Sequence, residues 1–166
     1  MAALIVTAAL GAADLGRLDA LRRAHFPPDR NQLPAHLTLF HALPPSAEGE
    51  ARSQLARLAA APAPRATLAA PYSLGGGVAY RVDSPELATL RATIADHFHG
   101  LLSAQDQAGW RAHITIQNKV LLPVAKALLN TLLADHRDRP LTIRGVELHR
   151  YLGGPWQLLG QWRFRA

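Results

Sequence analysis

Two short stretches of the chain, His36-Leu37-Thr38-Leu39 and His113-Ile114-Thr115-Ile116, each set an imidazole and a hydroxyl two residues apart. In an extended strand, residues two apart share a face. His36, Thr38 and Phe40 would then point one way, with Leu37 and Leu39 turned into a core. In the second stretch Arg111, His113, Thr115, Gln117 and Lys119 share one face, and Ile114, Ile116 and Val120 lie opposite. Two imidazoles with ordinary pKa values of about 6.5 can divide acid and base work near neutral pH. Hydroxyl groups donate hydrogen bonds to non-bridging oxygens and hold an anion in place. In-line displacement at phosphorus needs a proton taken from the nucleophile on one side and one given to the leaving oxygen on the other. Opposed histidines meet that need without a metal ion, so a phosphate ester is the expected substrate class. With eight His and eight Thr in the chain, one such tetrad is expected by chance at roughly 0.1 per chain. Two copies at matching places in a repeat are not chance. The competing reading is that duplicated strands keep buried, satisfied histidines for packing.

The elements around the two tetrads repeat as well. Asp14–Phe26 (DLGRLDALRRAHF) aligns with Glu86–Phe98 (ELATLRATIADHF) at an offset of 72, matching Leu15 with Leu87, Leu18 with Leu90 and His25-Phe26 with His97-Phe98. Both segments open on an acidic residue and carry apolar residues at helical spacing, as an amphipathic helix requires. A short β-type run precedes each, at Leu4–Ala8 and Val78–Val82, and a histidine strand follows each. By then the offset is 77, so the second copy has five extra residues in its loop. A proline-marked turn and another helix come next, over Glu48–Ala60 and Val124–Asp135. Ala66–Ala70 is expected to close the first lobe. Leu141–Tyr151 and Gln157–Phe164, turning through Gly153-Gly154-Pro155, are expected to close the second as a hairpin. The fold class is therefore α+β, with two pseudo-symmetric lobes of antiparallel-rich sheet lining a central cleft and one His-x-Thr strand in each. The whole chain forms a single bilobal domain, lobe 1 over about 1–72 and lobe 2 over about 76–166, with room for strand exchange between them.

The pair HLTLF and HITIQ resembles the paired HxTx motifs of the two-histidine (2H) phosphoesterases, a superfamily that includes 2′-5′ RNA ligase and RNA 2′,3′-cyclic phosphodiesterase-like proteins. The resemblance spans essentially the whole chain. It implies that His36, Thr38, His113 and Thr115 are the catalytic set, acting without a cofactor on a cyclic phosphate of RNA or a nucleotide. The ring would open to a 2′-phosphate, and some relatives join RNA ends in the reverse sense. By the same resemblance His113 is the base that activates water and His36 the acid that protonates the leaving 3′ oxygen; the near-symmetry of the motifs leaves the reverse order open. The chain departs from the pattern at Gln117-Asn118-Lys119, where many relatives carry an arginine, and Lys119 has the parity to replace it as a point charge. The residues before the first motif, Asn31–Ala35, also lack the basic residue often found there. A non-catalytic RNA- or nucleotide-binding module, or a hydrolase of another cyclic phosphoester, is the alternative function.

Other residues carry weaker signals. Phe40 could stack on a base or close the core. Arg111 and Lys119 flank His113 and are candidate phosphate contacts. Tyr151 and Trp156 on the terminal hairpin are read as packing. His97-x-His99 would diverge by about 200° on a helix and so does not form a metal site, and no metal is expected. The net charge of +6 and pI near 10.7 suit a polyanionic partner. The absence of cysteine excludes disulfides and thiolate catalysis and suits a reducing cytoplasm. The apolar N-terminal run is too short to span a bilayer and is read as a buried first strand. A cytoplasmic monomer with no membrane association is the expectation.

Overall fold

The computed structural model describes residues 2–166. In chain order the elements are β1 (Leu4–Leu10), α1 (Ala12–His25), β2 (Leu37–Leu43), α2 (Glu48–Ala59), β3 (Arg65–Ser73), β4 (Val78–Asp83), α3 (Pro85–His97), α4 (Ala104–Gln107), β5 (His113–Gln117), α5 (Leu122–Asp135), β6 (Arg139–Tyr151) and β7 (Trp156–Arg163). Every residue of β1 is buried, which accounts for the unbroken apolar run at the N-terminus. Helix α3 begins where the sequence signals it. Ser84 caps it by accepting from the Leu87 amide, and Pro85 takes the first turn, where no amide is needed.

The strands form one hydrogen-bonded system in the order β2-β1-β6-β3-β4-β5, with β7 also paired to β6. All the named pairings are antiparallel. The sheet curls into a half-barrel. Its two terminal strands, β2 and β5, are the two motif strands, and the curl brings them back toward each other. Apolar residues seal the convex side and the spaces under the helices in one continuous core.

The partition of strands differs from the sequence expectation. Strand β3 pairs with β4 and with the start of β6, so Ala66–Ala70 belongs to the sheet that carries the second motif. The terminal hairpin pairs with β1 instead, through β6 from Ile143 onward. The physical cause is the length of β6. Its 13 residues are enough to run across both halves, pairing with β3 over Arg139–Thr142 and with β1 beyond. Each half thus borrows its closing strand from the other, and the halves share backbone hydrogen bonds rather than a linker.

An edge strand leaves backbone groups unpaired, and both motif strands sit at edges. Side chains from the opposite half cover them. On β2, the Trp110 indole N–H donates to the Thr38 carbonyl at 3.1 Å and Arg91 Nε to the Leu39 carbonyl at 3.1 Å. The Asp106 carboxylate accepts from the His41 and Ala42 amides at 2.8 and 2.9 Å. On β5, Arg22 of α1 donates to the Thr115 carbonyl at 3.0 Å. Asp106 is 1% exposed. Burial acts to raise its pKa, but the hydrogen bonds from His41 and Ala42 outweigh this and the net shift is downward. Asp106 lies on α4, within the longer loop of the second repeat.

Candidate active site

In both motifs the alternation holds across the four tetrad residues. Leu37, Leu39, Ile114 and Ile116 are fully buried, and His36, Thr38, His113 and Thr115 are half-buried. The two imidazoles are held in the same way. His36 Nδ1 lies 2.8 Å from the Pro34 carbonyl, and His113 Nδ1 lies 2.8 Å from the Arg111 carbonyl, in each case two residues back along the chain. A carbonyl only accepts, so each Nδ1 carries the proton and donates it. In the neutral ring Nε2 is then the free acceptor. The backbone therefore fixes the tautomer of both histidines and leaves Nε2 for the cleft. The Ala35 amide donates to Asp19 at 2.9 Å, which anchors the approach to His36 from helix α1. The threonine carbonyls are taken by Trp110 and Arg22, so the strands are fixed through the backbone while the hydroxyls remain for a ligand.

The electrostatics of the two rings differ. Burial holds His36 well below the usual imidazole range, at about 4. The bond to Pro34 partly opposes that, and the nearby Arg22, His113 and His149 add to it. His36 packs edge-on against the Trp156 indole with centroids 4.8 Å apart. Arg22 is 4% exposed. It donates to Asn31 Oδ1 at 2.9 Å as well as to Thr115, and its guanidinium lies 4.0 Å over the Phe26 ring. It supplies a fixed positive charge beside His36.

Each histidine borders a cavity. One of about 280 Å³ runs from His36 along the sheet past Trp156, His149 and Glu147. The other, about 380 Å³, is bordered by His113, Arg111, Tyr72 and Trp110. Arg111 lines the same cavity as His113, with its guanidinium 5.6 Å over the Tyr72 ring. The Tyr72 hydroxyl is held above its ordinary pKa by burial, although the hydrogen bond and charge of Arg111 work in the other direction.

Two expectations fail, both just past the tetrads. Phe40 is fully buried beneath Arg91, whose guanidinium sits 4.4 Å over its ring. The register explains why. Thr7 pairs with Thr38 but Val6 pairs with Phe40, so a bulge turns Phe40 inward beside Leu39. The second motif has the same break, with Ala79 opposite Thr115 and Val78 opposite Gln117. Gln117, the repeat equivalent of Phe40, is 2% exposed. Lys119 is not on the strand at all. Strand β5 ends at Gln117, and Lys119 sits in the following turn with φ of 63°, exposed and bordering neither cavity.

Sequence reading missed Arg22 and Arg91, which reach across to the opposite motif strand, because no local pattern signals a contact between halves. It also took Trp156 as packing and found no use for His149. Both line the cavity beside His36, and their rings are 5.2 Å apart.

The curled antiparallel sheet carries a backbone-tethered histidine at each of its two edge strands. The comparisons agree with that geometry. The family model of the 2′-5′ RNA ligase superfamily matches residues 11–155, and the chain belongs to that superfamily. No curated protein sequence matches it. Among solved structures, TT0787 of Thermus thermophilus is 18% identical with a TM-score of 0.67, covering 100% of this chain and 99% of that one. E. coli LigT complexed with NADP+ is 18% identical with a TM-score of 0.61, covering 98% of each chain. A crystal structure described as a phosphoesterase is 19% identical with a TM-score of 0.58, each chain covered in full. At these identities the structures establish the fold.

Proposed function

We propose that the chain is a metal-independent phosphodiesterase that opens 2′,3′-cyclic phosphates at RNA ends or on nucleotides, leaving a 2′-phosphate. The same site run backward would join RNA ends through a 2′-5′ bond. The observation that carries this reading is the matched tethering of His36 and His113, which leaves Nε2 of each ring free for a ligand. Such a pair, with the two threonine hydroxyls, suits a cyclic phosphate. E. coli LigT has been crystallised with 3′-AMP and with ATP, which supports a nucleotide ligand for a cleft of this shape.

The lowered pKa of His36 supports one of the two divisions of roles. His36 is unprotonated at neutral pH because burial keeps it so, and this suits the base. We therefore assign the base to His36 and the acid to His113, the reverse of the order that the family resemblance implied. Nε2 of His36 takes a proton from water as the water oxygen attacks phosphorus. The P–O3′ bond breaks, and O3′ takes the proton from Nε2 of His113. For this step His113 must carry a proton on Nε2 as well as the Nδ1–H held by the Arg111 carbonyl. Thr38 and Thr115 donate to the non-bridging oxygens, on which negative charge grows in the transition state. Arg111 offers a further cation at the second cavity.

The test is hydrolysis of a short RNA ending in a 2′,3′-cyclic phosphate, with EDTA present and the 2′- and 3′-phosphate products resolved. The expected result is a 2′-phosphate, absent with the His36→Ala/His113→Ala variant. Equal turnover by wild type and that variant would overturn the proposal.

A further inference from the structure

The cavity beside His36 has an unusual lining for a site that need only hold a phosphate. Its walls are apolar at Leu10, Leu15, Leu33 and Leu158, and its flank is the Trp156 indole, while its polar groups gather on one stretch of sheet. Thr7 on β1 pairs with Glu147 on β6, and His149 follows two residues on along the same face. The His149 Nε2 lies 3.1 Å from the Thr7 hydroxyl. Arg144 should point to the opposite face by strand parity. The register steps from Ala9–Gly145 to Leu10–Ile143, however, leaving Arg144 as the extra residue of a bulge. Its side chain turns into the same cavity.

One of these groups lacks an adequate partner. The Glu147 carboxyl has a single ion-pair partner among the described residues, His149 at 4.0 Å, and burial raises its pKa, with the Arg144 charge pulling the other way. A half-buried carboxylate with so few partners is completed if a ligand in the cavity donates to it. A space of about 280 Å³ is at the small end of ligand pockets. It suits a flat ring system rather than a length of polynucleotide.

We infer that this cavity holds the base of the nucleotide bearing the cyclic phosphate, and that Glu147 and Arg144 together select guanine. The inference rests on the proposed cyclic-phosphate activity and adds its base preference. The Watson–Crick edge of guanine presents two adjacent donors, N1–H and N2–H, and one acceptor, O6. A carboxylate takes both donors side by side, and a guanidinium N–H serves O6. Adenine offers one donor beside a bare ring nitrogen, so one Glu147 oxygen would face a lone pair. Uracil sets a carbonyl on each side of its single N–H, and cytosine has no N–H at its central ring position. Trp156 provides the stacking face for any base, so the discrimination falls to the polar groups.

The experiment compares kcat/KM for the four 2′,3′-cyclic nucleoside monophosphates in wild type and Glu147→Gln. A paired donor–acceptor contact of this kind discriminates by roughly tenfold or more. Wild type should therefore favour the guanosine substrate by at least that ratio, and Glu147→Gln should bring the ratio toward one, since the amide NH2 would set a donor against one of the two guanine donors. Equal rates on all four substrates, a preference for another base, or an unchanged ratio in the variant would each overturn the inference. A parallel calorimetric titration of both proteins with 2′-GMP and 2′-AMP reads the cavity without turnover. Guanine-selective binding without hydrolysis would sink the proposed activity and keep the base site; hydrolysis without base selectivity in either measurement would do the reverse.

Discussion

Replacing His36 with glutamine should remove a measurable part of the pH dependence of folding stability. The native ring titrates at about 4 against the ordinary 6.5. Between those values the unfolded chain binds the proton more readily than the native chain, so stability rises with pH across the window. The sign is then fixed. Above about pH 6.5 the two states hold the ring equally neutral and the group has no effect. As pH falls, the unfolded state is favoured, and the penalty levels off below about pH 4. At about 1.4 kcal/mol per pKa unit, native stability falls by about 1.4 kcal/mol at pH 5.5 and by about 3 kcal/mol at pH 4.0. The second figure is a sizeable fraction of the 5–15 kcal/mol that holds a typical domain together. Urea unfolding of wild type and His36→Gln at pH 7.5, 5.5 and 4.0 reads the effect as a difference of differences. The gap between the two proteins should change in favour of the variant by about 3 kcal/mol over that range. Parallel pH curves would refute the account of a desolvated His36.

Three further outcomes are expected. The acid limb of the kcat/KM profile should fall near pH 4, where His36 becomes protonated, and a limb near 6.5 would contradict the assignment of His36 as the base. Asp106→Ala should leave the His41 and Ala42 amides without their acceptor and lower stability by about 2–4 kcal/mol, read by urea denaturation. Gly77→Ala should disrupt the second motif strand, because a Cβ there would lie 1.9 Å from the Gln117 carbonyl oxygen; a melting temperature within a degree or two of wild type would count against that close approach.

The alternation of the two tetrads is legible because its signal is local. A period of two over four residues needs only a straight strand, and both tetrads are straight as far as Thr38 and Thr115. One residue further on, the bulges at Phe40 and Gln117 reset the parity, and nothing in HLTLF or HITIQ marks them. The repeat did hold a usable hint: an aromatic and an amide at equivalent positions seldom share a solvent-facing role, whereas both can be buried. Lys119 was misplaced because the strand stops at Gln117 and the lysine adopts a left-handed turn conformation, which its side chain does not advertise. The exchange of β3 and the terminal hairpin depends on one long strand, β6, crossing between halves, and pairing partners are not a local property. Arg22, Arg91, Asp106 and Trp110 belong to the same category. Each looks like an ordinary helix or loop residue until the curl of the sheet brings the opposite motif strand within reach.

The pairing of the two histidines is tested most directly by comparing His36→Ala, His113→Ala and the double variant on a 2′,3′-cyclic phosphate substrate. Because one histidine takes a proton as the other gives one in the same step, each single variant should lose nearly as much activity as the double, on the order of 10²-fold or more. Near wild-type turnover in either single variant, or losses that multiply in the double, would contradict the paired mechanism.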